Sequence, residues 1–359
     1  MQPRELLDDA NRQLRICNAC RYCEGYCAVF PAMERRRSFA DGDLIYLANL
    51  CFECRACHYA CPYAAPHEFG VNIPKLLARL RLQTYRRYTW PGLRSGAGAG
   101  IARAVLACAV MAPVLALAFA GPATLFSTHR GEGAFYAVVP YTAIVAPALA
   151  MLLFAAACLG VGALRFWRDT GARPAQLLDA RALVHATRDA LGMTYLKGGG
   201  DGCSYPDARF SHARRRLHHL VFYGFGLALA ATTVAAGYHH LLGRAAPYPM
   251  LSWPVALGTT GGVAMTLGCA GLLWLKWRSD PEPGEPEMLR VDVAFLALLL
   301  WTNGTGLALL ILRDTAAMGT LLAVHLGAVA GLFLTLPYGK FAHVAYRYAA
   351  LVRNSIEEG

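Results

Sequence analysis

The sequence has no nucleotide-binding fingerprint, since neither G-x-G-x-x-G nor a Walker pattern follows a strand. It also has no catalytic acid-base pair and no nucleophile motif, so it is not expected to transform an organic substrate alone. The first thirty residues, "MQPRELLDDANRQLRICNACRYCEGYCAVF", lack the apolar core of a signal peptide, which predicts a cytoplasmic N-terminus. Charge is scarce at 16%, and it is nearly absent from the long apolar runs, where Arg103 and Lys340 lie near the ends. A carrier for small acids would place cations at mid-membrane beside broken helices. Transport is therefore disfavoured.

What the chain does have is hydrophobicity. Of its 359 residues 56% are apolar, and from about Ile101 the sequence becomes rich in Ala, Leu and Val. Six spans are expected near 101–126, 134–161, 217–242, 253–277, 291–312 and 319–341, each long enough to cross about 30 Å of hydrocarbon. Gly121-Pro122, Pro140 and Pro147 blur the ends of the first two. The segment before the first span carries fourteen Lys/Arg, residues 162–216 carry ten and 276–290 carry three, whereas the opposite connections hold only Arg130, Arg244 and Arg313. This asymmetry puts both termini on the cytoplasmic side of the inner membrane. It also explains the net charge of +11 without nucleic acid, because the basic residues flank spans.

Eight of the twelve cysteines fall in two identical registers, Cys17-x2-Cys20-x2-Cys23-x3-Cys27 and Cys51-x2-Cys54-x2-Cys57-x3-Cys61. Three thiolates in one tight loop can hold three corners of a cubane, and in two-cluster ferredoxins the fourth cysteine serves the other cluster. One 4Fe-4S cluster is thus assigned to Cys17, Cys20, Cys23 and Cys61, and a second to Cys51, Cys54, Cys57 and Cys27. Disulfides do not suit a cytoplasmic segment, and structural zinc uses paired C-x2-C motifs rather than triplets. Cys54-Arg-Ala-Cys57-His58 also spells a c-haem motif, but that reading leaves the repeat unexplained and needs an exported domain. In the first register Ala28, not Pro, follows Cys27.

Cys108, Cys158 and Cys269 sit in spans and read as small apolar residues. Cys203 lies in "KGGGDGCSYPDARFSHARRR", read as a flexible loop that could also dock a partner or touch a cluster. Upstream of the first span, Leu76, Leu77, Leu80 and Tyr85 alternate helically with Lys75, Arg79, Arg81, Arg86 and Arg87, which predicts a helix lying on an anionic membrane surface.

Histidines in spans are functional suspects. His325 and His343 are eighteen residues apart, five turns of one continuous helix, so they would share a face about 27 Å apart. The third span has His218 and His219 at its cytoplasmic start and His239 and His240 at its outer end. His343 would meet His218 or His219 at the inner side, and His325 would meet His239 or His240 at the outer side. Two such bis-imidazole sites suit one or two b haems, with His218 and His239 the favoured pair on the third span because they lie about 60° apart around it.

The expected architecture is mainly α: a cytoplasmic two-cluster ferredoxin-type domain (1–72), a basic amphipathic juxtamembrane segment (73–100), two membrane helices (101–161), a basic Gly-containing cytoplasmic loop (162–216), four more helices forming the haem region (217–345) and a cytoplasmic tail (346–359). With "CNACRYCEGYC", "CFECRACHYACP", "GGGDGCSYP", "RRRLHHLVFYGFGL" and "PYGKFAHVAYR", the chain resembles the tricarballylate- or citrate-utilisation protein B family. Its span half is similar to the cytochrome subunit of respiratory nitrate reductases. The resemblance implies a partner FAD flavoprotein that oxidises tricarballylate to cis-aconitate, with this subunit passing electrons through the clusters and b haem to membrane quinone. A related arrangement serves an oxidation in cobalamin biosynthesis, and a membrane-tethered iron-sulfur redox sensor is a rival class. A conduit would fail on losing the cluster domain; a carrier would survive.

Overall fold

A computed structural model describes residues 3–92 and 97–359. The N-terminal part forms α1 (Pro3–Cys20), α2 (Val29–Glu34), α3 (Asp41–Leu50), α4 (Ala56–Tyr59) and α5 (Ile73–Tyr88). Then come α6 (Ala97–Leu125), α7 (Ala134–Val138), α8 (Tyr141–Asp169), α9 (Ala180–Gly192) and a two-stranded antiparallel ribbon of β1 (Cys203–Ser204) and β2 (Phe210–Ser211). The chain ends with α10 (Ala213–Leu242), α11 (Trp253–Trp277), α12 (Pro286–Leu312), α13 (Met318–Thr335) and α14 (His343–Glu358).

The six apolar runs become helices of 21 to 30 residues, long enough to cross a bilayer. Their outward faces are apolar, with Phe119 87% and Leu106 64% exposed, as lipid-facing surface requires. Lipid supplies no hydrophobic drive between helices, so close approach has to do that work. At the crossing of α10 and α11, a Cβ on Gly224 would stand 2.8 Å from the carbonyl oxygen of Gly261. Neither position has room for a side chain.

Several elements differ from the sequence expectation. The second span begins at Tyr141, because Pro140 adopts an extended conformation (φ −53°, ψ 143°) that separates it from α7, and it runs on to Asp169. The last helix is not continuous. It stops at Thr335, passes through short 3-10 turns containing Pro337 and Gly339, and restarts at His343. Proline cannot continue the helical hydrogen-bond ladder, which is the physical reason for the stop. His325 and His343 therefore do not share one helix face. Finally, the spans are not free of charge at the head end, since Asp292 of α12 is buried between Lys276 Nζ (2.5 Å) and Lys340 Nζ (2.6 Å).

The segment expected on the membrane surface is instead an interior helix. The side chain of Asn72 caps α5 by accepting from Lys75 N–H. Leu76, Leu77, Leu80, Arg81, Tyr85 and Tyr88 are all buried, so the apolar face is covered by protein. The basic face makes ion pairs, Arg79 with Glu285 and Arg87 with Asp169, both at 2.6 Å. Residues 93–96 of that segment lie outside the described residues. Residues 162–216 are likewise structured, by α9 and the ribbon, and the expected tail is the buried helix α14.

That helix completes the head. Tyr346 packs at 6.0 Å from Tyr85 and 5.7 Å from Phe166, while Ala350, Leu351 and Val352 are buried. Arg36 bridges Asp43 (2.6 Å) and Glu357 (2.5 Å), and Arg353 reaches both carboxylates from α14. Arg36→Ala leaves the two carboxylates facing each other without it, and should cost about 2 to 3 kcal/mol at this mostly buried site. The expected results are a lower melting temperature in detergent and faster proteolysis of the C-terminal helix. Unchanged melting would show that this pair does not hold α14.

Candidate electron-transfer site

Both cysteine loops begin where a helix ends. Cys17 and Cys20 occupy the last turn of α1, Arg21 turns the chain with φ 56°, and Cys23 starts the short turn leading to Cys27. In the second loop Cys51 ends α3, Glu53 (φ 55°) and Arg55 (φ 66°) are both left-handed, and α4 carries Cys57 toward Cys61. Non-glycine residues rarely take this conformation. Alternating left- and right-handed residues turn successive backbone N–H groups into a concavity that favours anions. Here Glu53 N–H donates to Cys51 Sγ at 3.3 Å.

The loops bring the thiols together as two sets. Cys17 has Cys61, Cys23 and Cys20 as its neighbouring thiols. Cys27 has Cys54 and Cys51. A small cavity is lined by Cys27, Cys51, Cys54 and Cys57 together with Phe30, Ile73 and Leu77. Cys57 also feels Cys23, so the two sets adjoin. Burial first, and then neighbouring thiols, push Cys17 up to about 12, and burial with Cys203 beside it does the same to Cys54. Such thiols stay protonated in neutral water unless cationic metal replaces their protons. Among the described residues no group of three or more His, Cys, Asp or Glu closes around a single metal ion. Two looser four-thiol sets, with N–H groups turned toward sulfur, fit 4Fe-4S clusters.

Around the second set lies a charged network that sequence reasoning missed. Glu53, 8% exposed, faces Arg81 (3.5 Å) and Arg55 (3.6 Å). Burial pushes its carboxyl up, but Arg81, Arg55 and Arg214 outweigh that and hold it below its ordinary value. Arg81 donates to Ala48 O (3.0 Å), Arg347 to Cys51 O (2.9 Å) and Arg214 to Glu53 O (2.5 Å). The sequence did carry a signal for two of them. Arg214-x3-His218 and His343-x3-Arg347 each place a cation one helical turn from a histidine.

The Gly-rich loop is not a free loop, for Cys203 is fully buried beside Cys54 and its Sγ–H donates to Leu196 O at 3.4 Å. Tyr195 packs against Phe52 at 5.7 Å. Gly199, with φ 84°, lets the loop pass close to Gly25 and Tyr26, where a Cβ would meet both at 3.2 Å.

The histidines separate into distinct places. His218 and His343 face each other with ring centroids 6.4 Å apart and planes at 81°. Two imidazoles on opposite sides of one iron, each about 2 Å from it, would stand about 6 Å apart centre to centre. His343 Nδ1 hydrogen-bonds Lys340 O at 2.5 Å, a carbonyl partner that orients a ligating imidazole, while the buried His218 Nδ1 has no partner. This pair fits a haem iron. His219 instead lies against Tyr223 (5.7 Å). At the other end His239 stacks on Tyr141 at 3.7 Å, and His240 Nε2 is 2.7 Å from the Tyr141 hydroxyl. His325 Nδ1 hydrogen-bonds Thr305 Oγ1 at 3.1 Å against the open side of Gly306. A ligand pairing of His325 with His239 has no contact to support it here.

Cys27→Ser tests the crossed pairing. It should remove about half of the iron and abolish the centre of the Cys51 loop while sparing that of the Cys17 loop, as iron analysis with electron paramagnetic resonance would show. Loss of the Cys17-loop centre instead would reverse the assignment.

Residues 10–87 match the Citrate utilization protein B Fer4-like domain, and residues 97–359 match Citrate utilization protein B. The chain is 45% identical over 358 residues to the protein of that name from Escherichia coli, covering 98% of this chain and 92% of the relative. No solved structure matches it significantly. A Fer4-like domain followed by six apolar helices, matched over nearly its whole length, places the chain in the citrate utilization protein B family.

Proposed function

We propose that this chain is the membrane-bound electron-transfer subunit that reoxidises a partner FAD-dependent dehydrogenase and delivers the electrons to membrane quinone. The family name supports a partner working on tricarballylate or citrate chemistry, the oxidation of tricarballylate to cis-aconitate being the reading adopted here. Two 4Fe-4S clusters and a b haem, when bound, supply one-electron carriers that need no proton or bond change.

The observation that carries this reading is one shared helix. Arg347 of α14 holds the carbonyl of Cys51, and one turn earlier His343 faces His218. Helix α14 thus joins the second cysteine loop to the histidine pair. Phe52, over which the Arg347 guanidinium lies at 4.4 Å, helps keep water from the space between. At the far side of the head Tyr22, next to Cys23, is 67% exposed, which suits contact with a soluble flavoprotein. The basic loops flanking the spans support a cytoplasmic head and cytoplasmic termini in the inner membrane.

Anaerobically purified protein should give a b-type pyridine haemochrome, and His343→Ala should lose it while keeping the iron of both clusters. Unchanged haem in that variant would remove His343 from the iron, and a c-type spectrum would transfer the haem to Cys54 and Cys57.

A further inference from the structure

The two thiol sets sit in opposite electrostatic surroundings. In the second set Cys54 and Cys51 are 5% and 8% exposed and Cys27 and Cys57 are half-buried, whereas in the first Cys17, Cys20, Cys23 and Cys61 are all half-buried. Burial by itself would make the inner site the harder one to reduce, since each added electron there is a buried charge. An electron would then stall at the outer set.

The cations reverse this. Arg347 donates to the Cys51 carbonyl at 2.9 Å, Arg214 to the Glu53 carbonyl at 2.5 Å and Arg81 to the Ala48 carbonyl at 3.0 Å, so three guanidinium groups close on the backbone that carries Cys51 and Cys54. Arg55, Lys276 and Lys340 stand behind them, and among the described residues the carboxylates facing this group are Glu53, Asp292 and, beside Arg55, Asp280. Guanidinium groups keep their charge at neutral pH, so the arginines' share of this surplus persists there. Cys51 Sγ also accepts the Glu53 N–H, which stabilises added negative charge on sulfur. Among the described residues the groups that act on Cys17 and Cys23 are other cysteines, and Glu24 and Glu34 accompany Arg21 beside that loop.

Resting on the two-cluster reading above, we propose that Arg81, Arg214 and Arg347 make the Cys51 centre the more easily reduced of the two, giving the head a built-in inward direction of electron flow. The step is a single electron. The centre held by Cys17, Cys20, Cys23 and Cys61 is oxidised by one, and that held by Cys51, Cys54, Cys57 and Cys27 is reduced by one, with no proton and no bond exchanged. The arginines are positioning residues, acting through the field at the sulfurs.

The test is an anaerobic redox titration of the full-length detergent-solubilised protein, followed by electron paramagnetic resonance. Two midpoints are expected, and Cys27→Ser should retain only the lower one. Arg347→Gln should lower the higher midpoint and leave the lower in place, while Arg347→Lys, which keeps the charge, should restore most of the shift. Arg214→Gln serves as a second variant should Arg347→Gln fail to take up iron. If Cys27→Ser retains the higher midpoint, or if the arginine variants move the lower centre or neither, the inference is overturned. Two centres with the wrong order would leave the proposed function standing; failure to find two centres by iron analysis would instead remove the reading beneath it.

Discussion

Buried thiolates need positive charge close by, and the interior around the second cysteine loop is arranged to supply it. Left-handed residues at Glu53 and Arg55 accompany backbone N–H groups that face sulfur, Glu53 N–H on Cys51 and Ala56 N–H on Cys54. The same geometry leaves carbonyls of the second loop facing outward, and the guanidinium groups of Arg214 and Arg347 close on two of them. Each arginine thereby loses little of its hydrogen bonding on burial, which would otherwise cost several kcal/mol. One loop conformation serves both the anions inside it and the cations around it.

These cations come from distant parts of the chain. Arg81 belongs to α5, Arg214 to the start of a span, and Arg347 to the helix after the last span. Head and bundle are consequently not two modules joined by a linker. The break between Thr335 and His343 matters for the same reason, since an unbroken helix could not both line the membrane bundle and lie along the head. Redirecting the chain at Pro337 lets α13 pack in the bundle while α14 packs with α3, α5 and α9.

Much of this was legible in the sequence, and the rest was hidden for identifiable reasons. Three thiols within seven residues define a local loop whatever the fold, and apolar runs of more than twenty residues admit few other structures, so the cysteine registers and six spans were readable. Helical periodicity showed that 73–88 has one apolar face, but periodicity does not say whether lipid or protein covers it. Arg79 and Arg87 look the same whether they face phosphate headgroups or Glu285 and Asp169. The spacing of His325 and His343 misled because apolar residues continue on both sides of Pro337, hiding the break. Glu53 and Asp292 were passed over, and Arg81 was assigned to a lipid-facing basic stripe, because a charge near a span is usually solvated. That His343 meets the inner histidines of the third span was legible from topology, but the choice of His218 over His219 and the register of the outer histidines were not.

The placement of α14 also bears on how the molecule is made. The cysteine loops leave the ribosome first, yet the helix that seals them, with Arg347 on the Cys51 carbonyl and Glu357 on Arg36, is encoded after all six spans. Domains that fold as they emerge can normally finish before the rest of the chain appears. This head cannot. Its contacts with α14 can form only after all six long apolar helices have been made, so the order of the chain itself delays the closing of the cysteine loops.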